Sequence, residues 1–112
     1  MPVVNRIAEL ADEVALWRQD LHRHPELLFD VHRTASVVEQ KLKEFGCDEV
    51  VTGLGRTGVV GVIKGRKGAG RTIGLRADMD ALPIAEATSV SYKSETPGKM
   101  HACGHDGHTA ML

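Results

Sequence analysis

The apolar residues of this chain change their spacing at Gly46, and that change limits the folds open to it. Upstream the spacing is helical. Ile7, Leu10, Ala11, Val14, Trp17 and Leu21 recur at the intervals that line one helix face, so residues 5–23 are expected to form an amphipathic helix. Asn5 is placed to cap its start, and Pro25 ends it by pushing His24 away from helical geometry. A second helix is expected over 35–45, with Ala35, Val38, Leu42 and Phe45 on its apolar face and Gly46 as its left-handed C-terminal residue. Downstream, "GVVGVIKG" (58–65) and "RTIGLRAD" (71–78) are short runs rich in β-branched residues, separated by the turn-like "GRKGAG". They are expected to pair as a hairpin, with a weaker strand including Val50 and Val51. Residues 83–100 are expected to be irregular, and a new helix to begin near Asp106 or Gly107. Helices, then strands, then another helix point to an α/β sheet protein. The closing "GHTAML" has neither cap nor breaker, and so short a helix is marginal without packing partners. Residues 1–112 therefore read as the N-terminal portion of a longer domain.

Composition removes several functions. With 112 residues, 42% hydrophobic and 26% charged, the chain has the balance of one modest globular domain. Its net charge of −1, with no long run of either sign, offers nothing to attract nucleic acid or an anionic membrane. No stretch approaches the length of a membrane span, and "MPVVNRIAELADEV" lacks the apolar segment of a signal peptide. Cys47 and Cys103 lie far apart in different surroundings, so no disulfide framework is expected and the cytoplasm is the default location.

The chemistry concentrates in "HACGHDGH" (101–108), which holds three of the six histidines. His101, Cys103 and His105 are spaced by two, which in an extended segment would put them on one side. His105 and His108 would share a face if helix begins there. Imidazole and thiolate are the ligands of zinc and similar metals, and Gly104 and Gly107 let the backbone turn around an ion. In "LRADMDALP" (75–83), Asp78 and Asp80 are expected at the C-terminal end of a strand, where open α/β sheets bind ligands. One of them could bind a metal or orient a metal-bound histidine. Two other motifs carry less. "GLGRTG" (53–58) has dinucleotide-site spacing but runs into Val59, Val60 and Val62, so it reads as a turn entering a strand. "LHRHPEL" (21–27), with His22, His24 and Glu26, could be a second ligand group, but it reads better as the end of the first helix and its bridge to the sheet. Cys47 has no ligand neighbours and reads as a small, partly buried residue.

Taken together, "HRHPEL", "HRTA", "GRTGVVGVIKG", "LRADMDALPI" and "TPGKMHACGHDGHTAML" resemble the metal-dependent amidohydrolases of the aminoacylase and carboxypeptidase type. This metallopeptidase family includes the hippurate hydrolases, which the chain resembles in particular, N-acyl-amino-acid amidohydrolases and plant auxin-conjugate hydrolases. The segments run in the family's order across nearly the whole chain. The resemblance implies a zinc-exopeptidase-like α/β/α catalytic domain, of which 1–112 is the N-terminal part, with a smaller second domain inserted beyond it. It implies a site of two divalent ions and leaves manganese, zinc, nickel and cobalt open. Cys103 and His105 would be ligands, the Cys103 thiolate shared between the ions, with Asp80 as the catalytic-site Asp supporting them. Asp78 falls where relatives outside this subfamily carry a histidine ligand, while His101 and His108 belong to the motif without being direct ligands. The implied reaction is hydrolysis of the amide of a small N-acyl amino acid. Its glutamate base and remaining ligands fall beyond residue 112, so the chain alone is expected to be inactive. The full-length enzyme has room to be a homo-oligomer. Two readings from other classes, a small metal-binding module and a redox thiol protein using Cys103, leave the Asp78/Asp80 pair without a role.

Overall fold

The structure, a computed structural model, describes residues 3–112. Its elements are α1 (Asn5–Glu9), α2 (Ala11–Arg23), α3 (His32–Glu44), β1 (Glu49–Leu54), β2 (Gly58–Val62) and α4 (His105–Met111). The expected first helix is present but broken at Leu10. Asn5 is not its cap: it lies inside α1, after Val4, and no side chain caps that end. Burial along the apolar face rises toward the C-terminus. Nothing in α1 is buried, Val14 and Trp17 are half-buried, and Leu21 and His22 are buried. The middle of α2 meets the end of α3, where Trp17 packs against Phe45 at 5.6 Å, and its last turns pack against α4 and the segment 81–101.

α3 starts three residues before its expected position, at His32. The cause lies outside the helix. Glu26 accepts hydrogen bonds from the Arg33 and Thr34 backbone N–H groups (2.9 and 2.7 Å) and from the Thr34 hydroxyl (2.6 Å). These bonds satisfy helix-start donors that have no partner within the helix. Gly46 follows the last turn with φ 81°, as expected.

The hairpin is present with a different partner. β2 pairs antiparallel with β1, through Glu49↔Val62, Val50↔Gly61 and Val51↔Val60, and not with 71–78. The weak strand around Val50 and Val51 thus takes the place assigned to "RTIGLRAD". The local connection closes more tightly: Gly55 (φ 54°) and Arg56 (φ 87°) both have the positive φ of a primed hairpin turn. "GLGRTG" accordingly forms a turn into a strand. The Thr57 hydroxyl then fastens the hairpin to the α2–α3 connection by donating to the Phe29 carbonyl at 2.8 Å. β2 lies so close to α3 that a Cβ on Gly61 would stand 3.1 Å from both Cys47 Sγ and Leu42 Cδ2.

Between β2 and α4 the described chain forms no regular element, and 71–76 are exposed, Ile73 to 85%. Two isolated bridges, Leu27↔Ala81 (parallel) and Leu82↔Met100 (antiparallel), draw the middle of this stretch against the end of α2. The Ala81 N–H donates to the Glu26 carbonyl (2.7 Å) and the Glu95 N–H to the Arg23 carbonyl (2.9 Å). The buried apolar core, Leu21, Val31 and Ala81, sits at this junction. No helix among the described residues is long and apolar enough to cross a membrane.

Candidate metal centre

α4 is entered through Gly104, whose φ of 101° would strain any residue with a side chain. This bend sits between Cys103 and His105 and corrects one expectation. The segment 101–105 is not extended, so His101, Cys103 and His105 do not line one side. Cys103 is exposed. His101 is 5% exposed, with neither ring nitrogen hydrogen-bonded among the described residues, and burial pushes its pKa below the ordinary histidine value.

His105 and His108 do share a helical face, their ring centres 5.6 Å apart. Facing them is the segment that carries the two aspartates. Both partners of His105 Nδ1 are oxygens of Asp80, the carbonyl at 2.9 Å and Oδ1 at 3.0 Å. Oxygen acceptors on that side place the proton on Nδ1 and leave Nε2 with its lone pair. Nε2 lies 3.6 Å from Asp78 Oδ1, and His108 Nδ1 lies 3.2 Å from the same oxygen. The Thr109 hydroxyl donates to the Asp78 carbonyl at 2.8 Å. The hydrogen bond with His108, helped by the Arg76 charge, holds the Asp78 carboxyl below the usual aspartate range.

One donor atom each from Asp78, His105 and His108 fall within 4.8 Å of one another. Two imidazoles and a carboxylate suit zinc and its neighbours among transition metals. A carboxylate behind a histidine, as Asp80 stands behind His105, is the usual means of orienting a ligand ring. The structure thus brings Asp80 and His105 into contact and leaves Cys103 outside the three-donor group, two residues away along the chain.

The other side of α4 is held by Arg18 and Glu86, not singled out from the sequence, together with His22 of "LHRHPEL". Asp106, 1% exposed, is reached by His22 Nδ1 at 2.8 Å and by Arg18 Nε at 3.1 Å, both on Oδ2. His22 Nε2 lies 3.0 Å from Glu86 Oε1, which also accepts from the Ser94 N–H at 2.8 Å. Burial alone would raise the pKa values of both carboxyls. For Asp106 the His22 hydrogen bond, the Gly107 N–H and Arg18 reverse this, and for Glu86 the bonds from Thr88, Ser94 and His22 do so. In the sequence "LHRHPEL" draws attention to His22, but not to Asp106 as its partner. Glu86 lies in the irregular stretch and gives no signal. "LHRHPEL" bridges, but to other partners than the two-stranded sheet: His22 joins α2 to α4, and Glu26 joins it to α3 and to Ala81.

Residues 74–112 match the model of peptidase family M20/M25/M40. The chain is 52% identical over its whole length to a hippurate hydrolase of Campylobacter jejuni, and covers 29% of that protein. It is 46% identical over 106 residues to an N-acyl-L-amino acid amidohydrolase of Geobacillus stearothermophilus, covering 95% of this chain and 28% of the relative. Among solved structures it superposes with a TM-score of 0.84 and 42% identity on a Bacillus subtilis dinuclear metal-binding peptidase of family M20, covering 92% of this chain and 28% of that one. The chain therefore spans less than a third of the length of these relatives, and its mixed α/β architecture is that of the corresponding part of the M20 structure.

Proposed function

We propose that this chain, which matches peptidase family M20/M25/M40 over residues 74–112, supplies part of the metal site of an amidohydrolase that cleaves N-acyl amino acids of the hippurate kind. The observation that carries the proposal is the His105 ring, fixed at Nδ1 by Asp80 with Nε2 turned toward Asp78 and His108 beside it. Residues 1–112 are the N-terminal portion of the catalytic domain in this reading.

His105 and Cys103 are the proposed ligands of two divalent ions. Two ions are proposed because the Bacillus subtilis neighbour binds a dinuclear metal. The exposed Cys103 thiol precedes the Gly104 bend, from which it can be presented to an ion shared with His105. When bound, such a metal pair supplies a water acidified toward neutrality and a Lewis acid for the scissile carbonyl. The chain's own residues prepare that chemistry. Asp80 holds the Nδ1 proton of His105 and keeps its Nε2 basic. Asp78, ionised beside His108, adds negative charge where cations are to sit. Asp80 is the proposed catalytic-site carboxylate in this positioning sense.

The test is hydrolysis of hippurate by the protein at its full encoded length, before and after chelation. Metal-dependent release of glycine is expected, and Cys103→Ala and His105→Ala are each expected to abolish it. Full activity in either variant, or after chelation, would overturn the proposal. The 112-residue chain alone is expected to give no hydrolysis above a metal-stripped control.

A further inference from the structure

We propose that His22 is a positioning residue for the metal centre, acting through Asp106 to set the rotation of α4 and with it the direction of His105. The proposal rests on the function proposed above and adds a residue 83 positions upstream of the ligand, whose ring does not face the donor cluster.

α4 has seven residues, too few to hold a helix by its own backbone bonds. Its orientation is therefore set by what its side chains grip. On one face His105, His108 and Thr109 meet Asp78 and Asp80. On another, Asp106 is buried against α2, gripped by His22 and Arg18. Successive helical residues project about 100° apart, so the Asp106 grip resists any roll of α4 that would carry His105 off Asp80. His22 is itself held from behind. Its Nε2 faces Glu86, and the Tyr92 ring packs edge-on against it at 5.5 Å. Both nitrogens face carboxylate oxygens within hydrogen-bond distance, at 2.8 and 3.0 Å. The clamp thus runs Glu86–His22–Asp106, with only Arg18, its side chain 42% exposed, reaching solvent.

The clamp has two separable halves, and two substitutions divide them. Asparagine at 22 puts its amide nitrogen near the Nδ1 position, keeping the bond to Asp106 and losing that to Glu86. Glutamine puts it near the Nε2 position, keeping Glu86 and losing Asp106. A role confined to stability predicts similar losses for both. The positioning role predicts that His22→Gln weakens zinc and cobalt binding by about ten-fold or more, while His22→Asn stays within about two-fold of the parent at a comparable melting temperature. Titration of the protein at its full encoded length reads this directly, and equal effects of the two variants, or none, would overturn the proposal. If neither variant folds, Arg18→Gln decides: about three-fold weaker metal binding supports the clamp, and unchanged binding overturns it. The His105 ring signals in nitrogen-correlated NMR of the metal-free protein give a second readout. They are expected to move in His22→Gln and not in His22→Asn, and the reverse would overturn the proposal. A protein that binds metal with this pattern yet hydrolyses no N-acyl amino acid would refute the proposed function and leave the clamp standing.

Discussion

At the scale of single residues, Asp80 carries the sharpest consequence. Its carbonyl and its carboxylate both accept from His105 Nδ1. Asp80→Ala therefore leaves one acceptor and the same tautomer, but removes the negative charge that makes the ring a better ligand. Metal affinity is expected to fall about ten-fold, the lower end of what such supporting groups contribute. Asp80→Asn, which keeps an acceptor without the charge, is expected to lose less, and metal titration of the two variants ranks them. These aspartates were legible in the sequence because two carboxylates beside a histidine-rich segment suggest a common site. The contact of Asp80 with Nδ1 was not, since the chain returns to Asp80 only after 25 residues without regular structure. His101 shows the limit of spacing arguments: an alternation of two means one face only in an extended chain, and the left-handed Gly104 ends that condition.

At the scale of elements, Glu26 and the glycines of the hairpin govern what forms. Glu26 satisfies the start of α3 from outside the helix, which is why a reading of helical period placed that start three residues late. Glu26→Ala is expected to cost about 1–2 kcal/mol, the range for loss of a helix cap, measured by urea unfolding. Burial works to raise the Glu26 pKa, but the Thr34 and Arg33 hydrogen bonds outweigh it and leave the pKa below the ordinary value of 4.5. The stabilisation is thus complete above 4.5 and is lost as the pH falls below it, through the depressed folded value. Unfolding measured across that range should show the acid-side loss in the parent chain and a smaller one in Glu26→Ala. In the hairpin, a Cβ on Gly58 would stand 2.5 Å from the Leu54 carbonyl oxygen, backbone that cannot swing aside. Gly61→Val meets Leu42 and Cys47 and is expected to destabilise by about 1–3 kcal/mol through overpacking. β2 was legible from its β-branched run and β1 more weakly, but the run at 71–78 forms no strand, so Asp78 and Asp80 do not stand at a strand's end. The pairing of β1 with β2 was not legible, because two positive-φ residues in a three-residue connection decided it, and one of those is an arginine that carries no turn signature.

At the scale of the whole molecule, the described chain is broad and thin, 50 × 36 × 22 Å, with a radius of gyration of 15.4 Å. A compact chain of this length would have about 13 Å. Among the described residues three apolar ones are buried, while Ile63, Ile73 and Leu75 are each more than three-quarters exposed. So little burial predicts a shallow urea transition for the 112-residue chain, with a slope below about 1 kcal/mol/M, the bottom of the range for small domains. The same chain is expected to bind an apolar fluorescent dye, and a steep transition without dye binding would contradict both expectations.

The clamp on α4 also has a meaning in time. A chain leaves the ribosome from its first residue, and 84 residues separate His22 from the Asp106 that receives it. Closing so large a loop carries an entropic cost that grows only slowly with length, so distance is no bar to the contact once both ends exist. During synthesis, however, α2 emerges with a polar ring on the side it will later bury, and the partner that makes that burial tolerable follows only 84 positions later. The N-terminal helix therefore cannot settle early, and it stays unfinished until the metal-binding motif has emerged to complete it.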